Sequence, residues 1–258
     1  MTDLAVRDSG MGVGTPLLLL HAFPLHAGMW RAQLDGALGE ARVLAPDLPG
    51  FGASPEPAGE PALDTWADAV ARLMDAVGLE RAVIGGLSMG GYLAMAFARR
   101  HGDRLAGLLL ADTKASADAP GALANRERIA AAVLARQSVA LLLEEKTEDA
   151  LLGSESTPEL VAEVRALIGA ANPVGVAWAQ RAMAARPDSF ETLAQLTVPA
   201  AVVVGEHDVL TPLADAEAMA SALPDAELTV IPGVGHLSAL EAPAAFNAAV
   251  TALLRRVA

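Results

Sequence analysis

The sequence predicts an α/β protein built on a mostly parallel, doubly wound sheet. Apolar runs of strand length alternate along the chain with segments whose apolar residues recur every three or four positions. The runs within 16–21 and 105–111 are continuously apolar, as expected for strands covered by helices on both faces. With 258 residues, 53% of them hydrophobic, the chain is long enough for one large core.

Seven segments are expected to form the strands, because each is apolar and is bounded by glycine, proline or polar residues. In chain order they are residues 4–7, 16–21, 41–45, 81–85, 105–111, 198–204 and 227–231. A helix after residue 61 is predicted to have Asp64 as its N-cap and to end at Gly78. Three more helices are predicted over 92–100, after Thr211 and Pro212, and over 244–254.

The alternation of strand and helix stops between Asp112 and Asp188, where no strand-like run occurs. Four successive helices are expected there, marked by 129–134, by 141–143, and by Thr157 and Asn172 as N-caps that each precede a proline.

This interruption predicts two domains. Residues 1–112 and 189–258 are expected to form the α/β core, and residues 113–188 a helical cap over the edge of the sheet. The alternative, in which these helices pack away from that edge, is left open by the sequence.

Composition limits the classes of partner. The formal net charge of −13 and the lack of a Lys/Arg cluster argue against nucleic acid. The absence of cysteine removes disulfides, thiolate catalysis and Cys-based metal sites. Residues 1–4 lack the basic stretch of a signal peptide, and 17–20 is too short to cross a bilayer. We therefore expect a cytoplasmic protein with no nucleic-acid or membrane partner, and leave a homo-oligomer open. The chemistry predicted below needs no metal or cofactor.

The turn at 86–91, Gly-Leu-Ser-Met-Gly-Gly, joins a predicted strand to a predicted helix. Such a connection strains the backbone of Ser88 and lifts its hydroxyl above the sheet, provided that Gly86 and Gly90 carry no side chain. The helix also directs its N-terminal amides toward any charge that develops beside the serine. Ser88 is therefore the predicted nucleophile.

A serine hydroxyl needs a base to remove its proton, and the base needs an acid to orient it. His236 and Asp208, like Ser88, lie just past the carboxyl ends of predicted strands, where α/β folds place their sites. We predict His236 as the base and Asp208 as the acid. Asp112 is the main alternative acid because it also follows a strand, and Asp47 is a weaker one.

The other four histidines have different expected positions. His21 ends a strand and is expected to make structural hydrogen bonds. His101 is expected to be solvated at a helix end, and His207 to point away from the site. His26 lies in a loop near the site, either in the wall of the pocket or at the surface.

Acyl transfer also requires two hydrogen-bond donors for the oxyanion, and backbone amides supply both. Met89 follows the nucleophile at the head of its helix, and Phe23 lies in the loop after the strand at 16–21. The predicted substrate pocket is lined by the side chains of these two residues and by Leu87, Trp178, Met183 and His26.

Together these motifs closely resemble the α/β-hydrolase fold family, over about residues 17–254. The motifs are 21–24 (His-Ala-Phe-Pro), 47–52 (Asp-Leu-Pro-Gly-Phe-Gly), 86–91, 205–208 (Gly-Glu-His-Asp) and 233–236 (Gly-Val-Gly-His). The serine turn and the short cap are similar to those of small carboxylesterases, 3-oxoadipate enol-lactonases and cofactor-free haloperoxidases or perhydrolases.

Two departures from the family pattern matter. Ala22 stands where the family more often has glycine, and its methyl group is expected to narrow the oxyanion loop. The N-terminal strand pair is curtailed, which implies seven strands instead of eight. Ser88 excludes the aspartate-nucleophile chemistry of the family's dehalogenases and epoxide hydrolases.

The residues and the resemblance imply a serine hydrolase that cleaves a small, uncharged or weakly polar carboxylic ester or lactone through an acyl-enzyme. Perhydrolysis and C–C bond cleavage of a diketone are alternatives on the same three residues, decided by water access and pocket contacts. A ligand receptor with a nearly idle triad is a third alternative, and multiple turnovers would separate the enzyme from the receptor.

Overall fold

Seven strands form the framework of the computed structural model, which describes residues 4–39 and 41–257. They are β1 (Val6–Asp8), β2 (Leu17–Leu20), β3 (Val43–Pro46), β4 (Ala82–Leu87), β5 (Leu105–Ala111), β6 (Ala200–Gly205) and β7 (Ala226–Ile231). Their order in the sheet is β1-β3-β2-β4-β5-β6-β7, and β1 alone runs antiparallel to its neighbour. The predicted α/β class, mostly parallel sheet and seven strands are confirmed.

Residues 1–3, 40 and 258 lie outside the described residues. The expectation that no signal peptide begins the chain depends partly on Met1 to Asp3, which are among them.

Twelve α-helices accompany these strands in the described ranges, together with 3₁₀ turns at Ala27–Trp30 and Gly102–Arg104. The helices are α1 (Arg31–Leu34), α2 (Leu63–Ala76), α3 (Met89–Arg100), α4 (Pro120–Arg136), α5 (Ala140–Glu144), α6 (Thr147–Leu151), α7 (Pro158–Gly169), α8 (Pro173–Ala184), α9 (Phe190–Gln195), α10 (Leu213–Ala222), α11 (Ser238–Glu241) and α12 (Pro243–Arg256).

The centre of the sheet is fully buried. All four leucines of β2 and all six residues of β4 are shielded from solvent, and β4 pairs in parallel with both β2 and β5. Each buried leucine contributes about 1.5–3 kcal/mol relative to its exposed state. This burial explains why the continuous apolar runs form the central strands, with polar side chains confined to the strand ends.

Helix α2 begins earlier than predicted. Ala62 is its N-cap, in extended conformation, and Asp64 lies in the first turn. The Asp64 carboxylate instead accepts a hydrogen bond of 2.5 Å from Arg99 on α3. The predicted C-terminal end is confirmed, since the helix stops at Ala76 and Gly78 follows with φ of +73°.

Between β5 and α9 the chain forms five helices, α4 to α8, which we call the insertion helices. Four were predicted, and the additional one is the five-residue α6. Thr157 caps α7 by accepting from the Leu160 amide, and Asn172 caps α8 by accepting from the Val174 amide, so both predicted caps are confirmed.

Helix α8 packs directly on the loops of the core. Gly175 lies so close to Gly50 that a Cβ on either residue would overlap the backbone of the other. Beside this contact the indole rings of Trp178 and Trp66 stack with centroids 4.7 Å apart. The two glycines therefore allow the backbones to meet, and the tryptophan pair fixes the insertion helices against α2.

No single helix in the described part of the chain has both the length and the apolar composition to cross a membrane. Helices α7 and α8 meet these criteria only as a pair, and the pair is bent by 94°.

Replacing Gly175 by alanine is expected to lower the free energy of unfolding by about 1–3 kcal/mol, because the added methyl group overpacks the contact with Gly50. Gly121→Ala on α4 is the matched control, since a Cβ there meets nothing within 4 Å. The control is expected to be neutral or to stabilise by up to about 1 kcal/mol. Urea unfolding followed by circular dichroism measures both, and a wild-type value for Gly175→Ala would contradict the close contact.

Candidate active site

Ser88 stands at the turn between β4 and α3 with φ of +57° and ψ of −114°, a region that residues with a side chain rarely adopt. The turn is this tight because Gly86 and Gly90 lack side chains. A Cβ on Gly86 would overlap the backbone of Gly90, and a Cβ on Gly90 would overlap the carbonyl oxygen of Leu20. The backbone thus holds the serine hydroxyl at the carboxyl end of β4.

His236 and Asp208 come to the same edge of the sheet from the loops after β7 and β6. Nε2 of His236 lies 2.8 Å from Oγ of Ser88, and Nδ1 lies 2.8 Å from Oδ2 of Asp208. His236 is 1% exposed. The three predicted side chains therefore form one continuous hydrogen-bonded chain.

Asp208 is held by donors besides the imidazole. Its Oδ1 accepts from the amides of Leu210 (2.9 Å) and Thr211 (3.0 Å), and its Oδ2 accepts from the Thr211 hydroxyl (2.6 Å). Burial by itself raises the pKa of Asp208, but the hydrogen bond and charge of His236, followed by the bonds from Thr211, lower it below its ordinary value. The carboxylate stays ionised and fixes Nδ1 of His236 as the protonated nitrogen.

The two residues predicted to supply oxyanion donors both lie near the serine. Met89 is the first residue of α3, where an amide has no partner within its helix. Phe23 lines the cavity beside Ser88. The loop that contains Phe23 is braced by His21, whose Nε2 accepts from the Leu48 amide (3.0 Å) and whose Nδ1 donates to the Ala22 carbonyl (3.0 Å). Burial lowers the pKa of His21 to about 4, so the ring is neutral in this structural role.

Asp112, the alternative acid, lies beneath the site and is fully buried. Its Oδ1 accepts from the Gly205 amide (2.8 Å), and its Oδ2 accepts from the Ser238 amide (3.3 Å) and forms a short hydrogen bond with the Ser238 hydroxyl. Burial raises the pKa of Asp112 to about 7, against the lowering effects of the His236 charge and the Ser238 bond. Asp112 thus ties the end of β5 to β6 and to the segment after His236.

The weaker alternative, Asp47, also acts within the backbone of a loop. Its two oxygens accept from the amides of Ala27 (2.8 Å) and Ala53 (2.9 Å). His207 is largely exposed, and its nearest acidic partner is Glu206 at 3.9 Å. His101, expected to be solvated, is instead half-buried with Nε2 2.8 Å from Asp68.

Glu241 holds the His236 loop from the other side. Its Oε1 accepts from the Leu237 amide (3.1 Å), and its Oε2 accepts from the Gly235 amide (3.2 Å), which are the two neighbours of His236. The same Oε2 accepts from the Gly153 amide (2.7 Å) and the Ser156 hydroxyl (3.0 Å) after α6. One carboxylate therefore joins the histidine loop to the insertion helices, a link that no sequence motif indicated.

The cavity beside Ser88 has a volume of about 210 Å³, and two of the predicted wall residues, Phe23 and Met183, line it. The lining residues that sequence reasoning missed are Tyr92, Lys114, Asp118, Ala122, Arg126, Thr147, Leu151, Leu210 and Thr211. Most of them come from the insertion helices or the loop before α4. In the sequence, the charged stretch 125–128 is typical of a solvated helix face, so only the packing of α4 against α8 turns Arg126 inward.

The structure does not bring the other predicted wall residues to this cavity. Leu87 and the side chain of Met89 are fully buried in the core. Trp178 stacks on Trp66 where α8 packs against α2. Nδ1 of His26 accepts from the Gly28 amide (3.0 Å) and caps the first 3₁₀ turn. None of these four side chains lines the cavity beside Ser88, and the assignment of Leu87, Met89, Trp178 and His26 to a substrate pocket stays a prediction.

In the described ranges, 4–39 and 41–257, no three His, Asp or Glu side chains converge as ligands for a metal ion. The side chains of Ser88, His236 and Asp208 instead form a hydrogen-bonded series of the kind that acyl transfer requires.

A mostly parallel sheet with a strained serine at the turn after β4, and with helices inserted after β5, defines the class of α/β hydrolases. The sequence profile of the alpha/beta hydrolase fold matches residues 15–243, and the chain belongs to this family. The resemblance predicted from the motifs is confirmed.

Individual relatives cover nearly the whole chain. A thermophilic esterase from Thermogutta terrifontis, described with malate bound, is 42% identical with a TM-score of 0.93, over 98% of this chain and 93% of that one. The enol-lactonase from Burkholderia xenovorans is 28% identical with a TM-score of 0.79, over 98% and 96%. A putative carbamate hydrolase from a Caulobacter species is 32% identical over 230 residues, which cover 86% of this chain and 83% of that relative.

The raised pKa of Asp112 makes stability depend on pH. The folded protein keeps this proton up to about pH 7, whereas the unfolded chain releases it near the ordinary value of 3.8. The unfolded state then binds fewer protons between these values, so this residue's contribution to the free energy of unfolding falls as pH rises.

We expect the slope of unfolding free energy against pH, measured from pH 4 to 8, to be more positive in Asp112→Asn than in the wild type, because the negative contribution of Asp112 is then absent. Asp103→Asn, at an exposed position, is the control and keeps the wild-type slope. Equal slopes in wild type and Asp112→Asn would contradict a buried proton at this carboxyl.

Glu241→Gln replaces one accepting oxygen by an NH₂ group that faces N–H and O–H donors, so at least one of the four bonds is lost. Hydrogen bonds to charged groups contribute about 1.5–3 kcal/mol, and we expect the free energy of unfolding to fall by that amount. The control is Glu217→Gln, at an exposed position on α10, which should match the wild type. Unchanged stability in Glu241→Gln would rule out the link between histidine loop and insertion helices.

Proposed function

We propose that the protein is a serine hydrolase that cleaves a small carboxylic ester or lactone through an acyl-enzyme on Ser88. The observation that carries this proposal is the hydrogen-bonded chain from Ser88 through His236 to Asp208 beside a cavity. Relatives named as an esterase and an enol-lactonase support an acyl group bonded to oxygen as the substrate.

The mechanism follows from which atoms carry protons. Asp208 accepts the Nδ1–H of His236, so Nε2 is free to take the proton of the Ser88 hydroxyl as its Oγ attacks the carbonyl carbon. The oxyanion of the tetrahedral intermediate accepts from the amides of Met89 and Phe23. The imidazolium then gives its proton to the leaving alkoxide, and the acyl group stays on Ser88.

Deacylation repeats these steps with water. Nε2 of His236 takes a proton from the water as its oxygen attacks the acyl carbon, and it returns that proton to Oγ of Ser88 as the acid leaves. Asp208 stays ionised throughout and stabilises the imidazolium.

We further propose that residues 113–188 act as a cap on a core formed by 1–112 and 189–258. Five residues of the insertion helices line the cavity beside the serine, from α4 (Ala122, Arg126), α6 (Thr147, Leu151) and α8 (Met183). The cap thereby selects the substrate while the core supplies the reacting groups.

Ser88→Ala is expected to lower kcat/KM for p-nitrophenyl butyrate by at least about 10⁴-fold, because the nucleophile is lost. Asp208→Asn is expected to cost about 10⁴-fold, because an amide no longer holds His236 in the tautomer that is protonated on Nδ1. Ser221→Ala, at an exposed position on α10, is the control and keeps the wild-type rate.

A fluorophosphonate probe should label the wild type with one equivalent and leave Ser88→Ala unlabelled. Wild-type activity in Ser88→Ala would contradict the proposal. One stoichiometric burst without further turnover would favour the ligand receptor over the enzyme.

A further inference from the structure

The cavity beside Ser88 has charged side chains in one part of its lining. Ser88, His236 and the ring of Phe23 line it on the core side, and Lys114, Asp118 and Arg126 line it on the side of the insertion. Asp118 is the one acidic residue in the lining of this cavity within the described chain. The charged groups therefore lie in the same small space as the proposed nucleophile.

The negative charge of Asp118 is already balanced by the guanidinium of Arg186. The guanidinium of Arg186 is 8% exposed, donates from Nη2 to Oδ1 of Asp118 (2.8 Å) and stacks over the Tyr92 ring at 4.0 Å. Burial by itself raises the pKa of Asp118, but hydrogen bonds from Arg186 and Arg126 outweigh it and lower the pKa to about 2. Asp118 is thus always ionised, and Arg186 balances its charge.

Arg126 and Lys114 are then surplus positive charges in the cavity wall. Arg126 donates from Nε to Asp118 in a short hydrogen bond and from Nη1 to Gln180 (3.0 Å), while no oxygen of the described residues accepts from its Nη2. The ammonium of Lys114 comes no closer than 4.0 Å to Asp118, its nearest acid in the described chain. Two partly buried cations with open donors favour an anion in the cavity.

We propose that Arg126 and Lys114 form a carboxylate-binding subsite, and that the substrate is an ester or lactone carrying a second, ionised carboxylate. This inference rests on the proposed function and names its substrate class. It replaces the expectation of an uncharged or weakly polar substrate, which took no account of charges brought together by the insertion. Arg126 offers a planar guanidinium for the carboxylate, and Lys114 adds a point charge.

The test compares monomethyl succinate, glutarate and adipate with the methyl esters of butanoic, pentanoic and hexanoic acid, by following proton release. In the wild type, kcat/KM for the best anionic ester should exceed that for its neutral analogue by at least about tenfold. This anionic-to-neutral ratio should fall by about ten- to hundredfold in Arg126→Gln and in Lys114→Gln, mainly through KM. Because each variant is scored on a ratio, general damage to the site cancels.

Two controls sharpen the result. Arg128→Gln, on the same helix but paired with Glu145 at the surface, should keep both rates at wild-type values. Arg126→Lys keeps the charge and should retain most of the preference. A wild type that prefers the neutral esters, or an Arg126→Gln ratio equal to the wild-type ratio, would overturn the subsite and leave the proposed hydrolase intact. Failure of the wild type to turn over any ester would overturn both.

Discussion

The site depends on backbone segments that approach each other more closely than side chains would permit. Gly90 brings the first turn of α3 against the carbonyl of Leu20, and so aligns the serine turn with the end of β2. A second contact of this kind occurs at the last residue of β6, where a Cβ on Gly205 would overlap the carbonyl oxygen of Gly235. Both contacts are between backbones, so neither of them requires a particular side-chain rotamer.

Three carboxylates then hold the histidine segment, each through different atoms. Asp208 contacts the imidazole itself, Asp112 the amide and hydroxyl of Ser238, and Glu241 the amides of Gly235 and Leu237. Burial raises the pKa of Asp112, and the charge of Asp208 adds to this effect, so that carboxyl can remain neutral while Asp208 stays charged. Asp208 therefore orients the imidazole ring, while Asp112 and Glu241 hold the backbone on either side of it.

Sequence reasoning recovered what depends on local pattern. Continuous apolar runs identified the strands, and the glycines around Ser88 indicated the turn, because both are properties of consecutive residues. Most of the residues that line the cavity could not be predicted from the sequence. Arg126, Tyr92 and Lys114 meet there only through the packing of α4 and α8 on the core. Trp178 is the opposite case, a residue that was predicted to line the pocket and does not line this cavity. Its position suggested a pocket wall, but its partner is Trp66, more than a hundred residues earlier in the chain.

The chain as a whole is negatively charged, whereas the side chains that line the cavity carry more positive than negative charges. A net charge of −13 is spread over a surface where most acids pair with arginines or face water, and salt screens it within about 10 Å. In the partly buried cavity Arg126 and Lys114 are screened much less, so a ligand there is governed by these two groups and not by the overall balance. An acidic protein can therefore favour an anionic ligand in such a cavity, provided that cations are concentrated among the residues that line it.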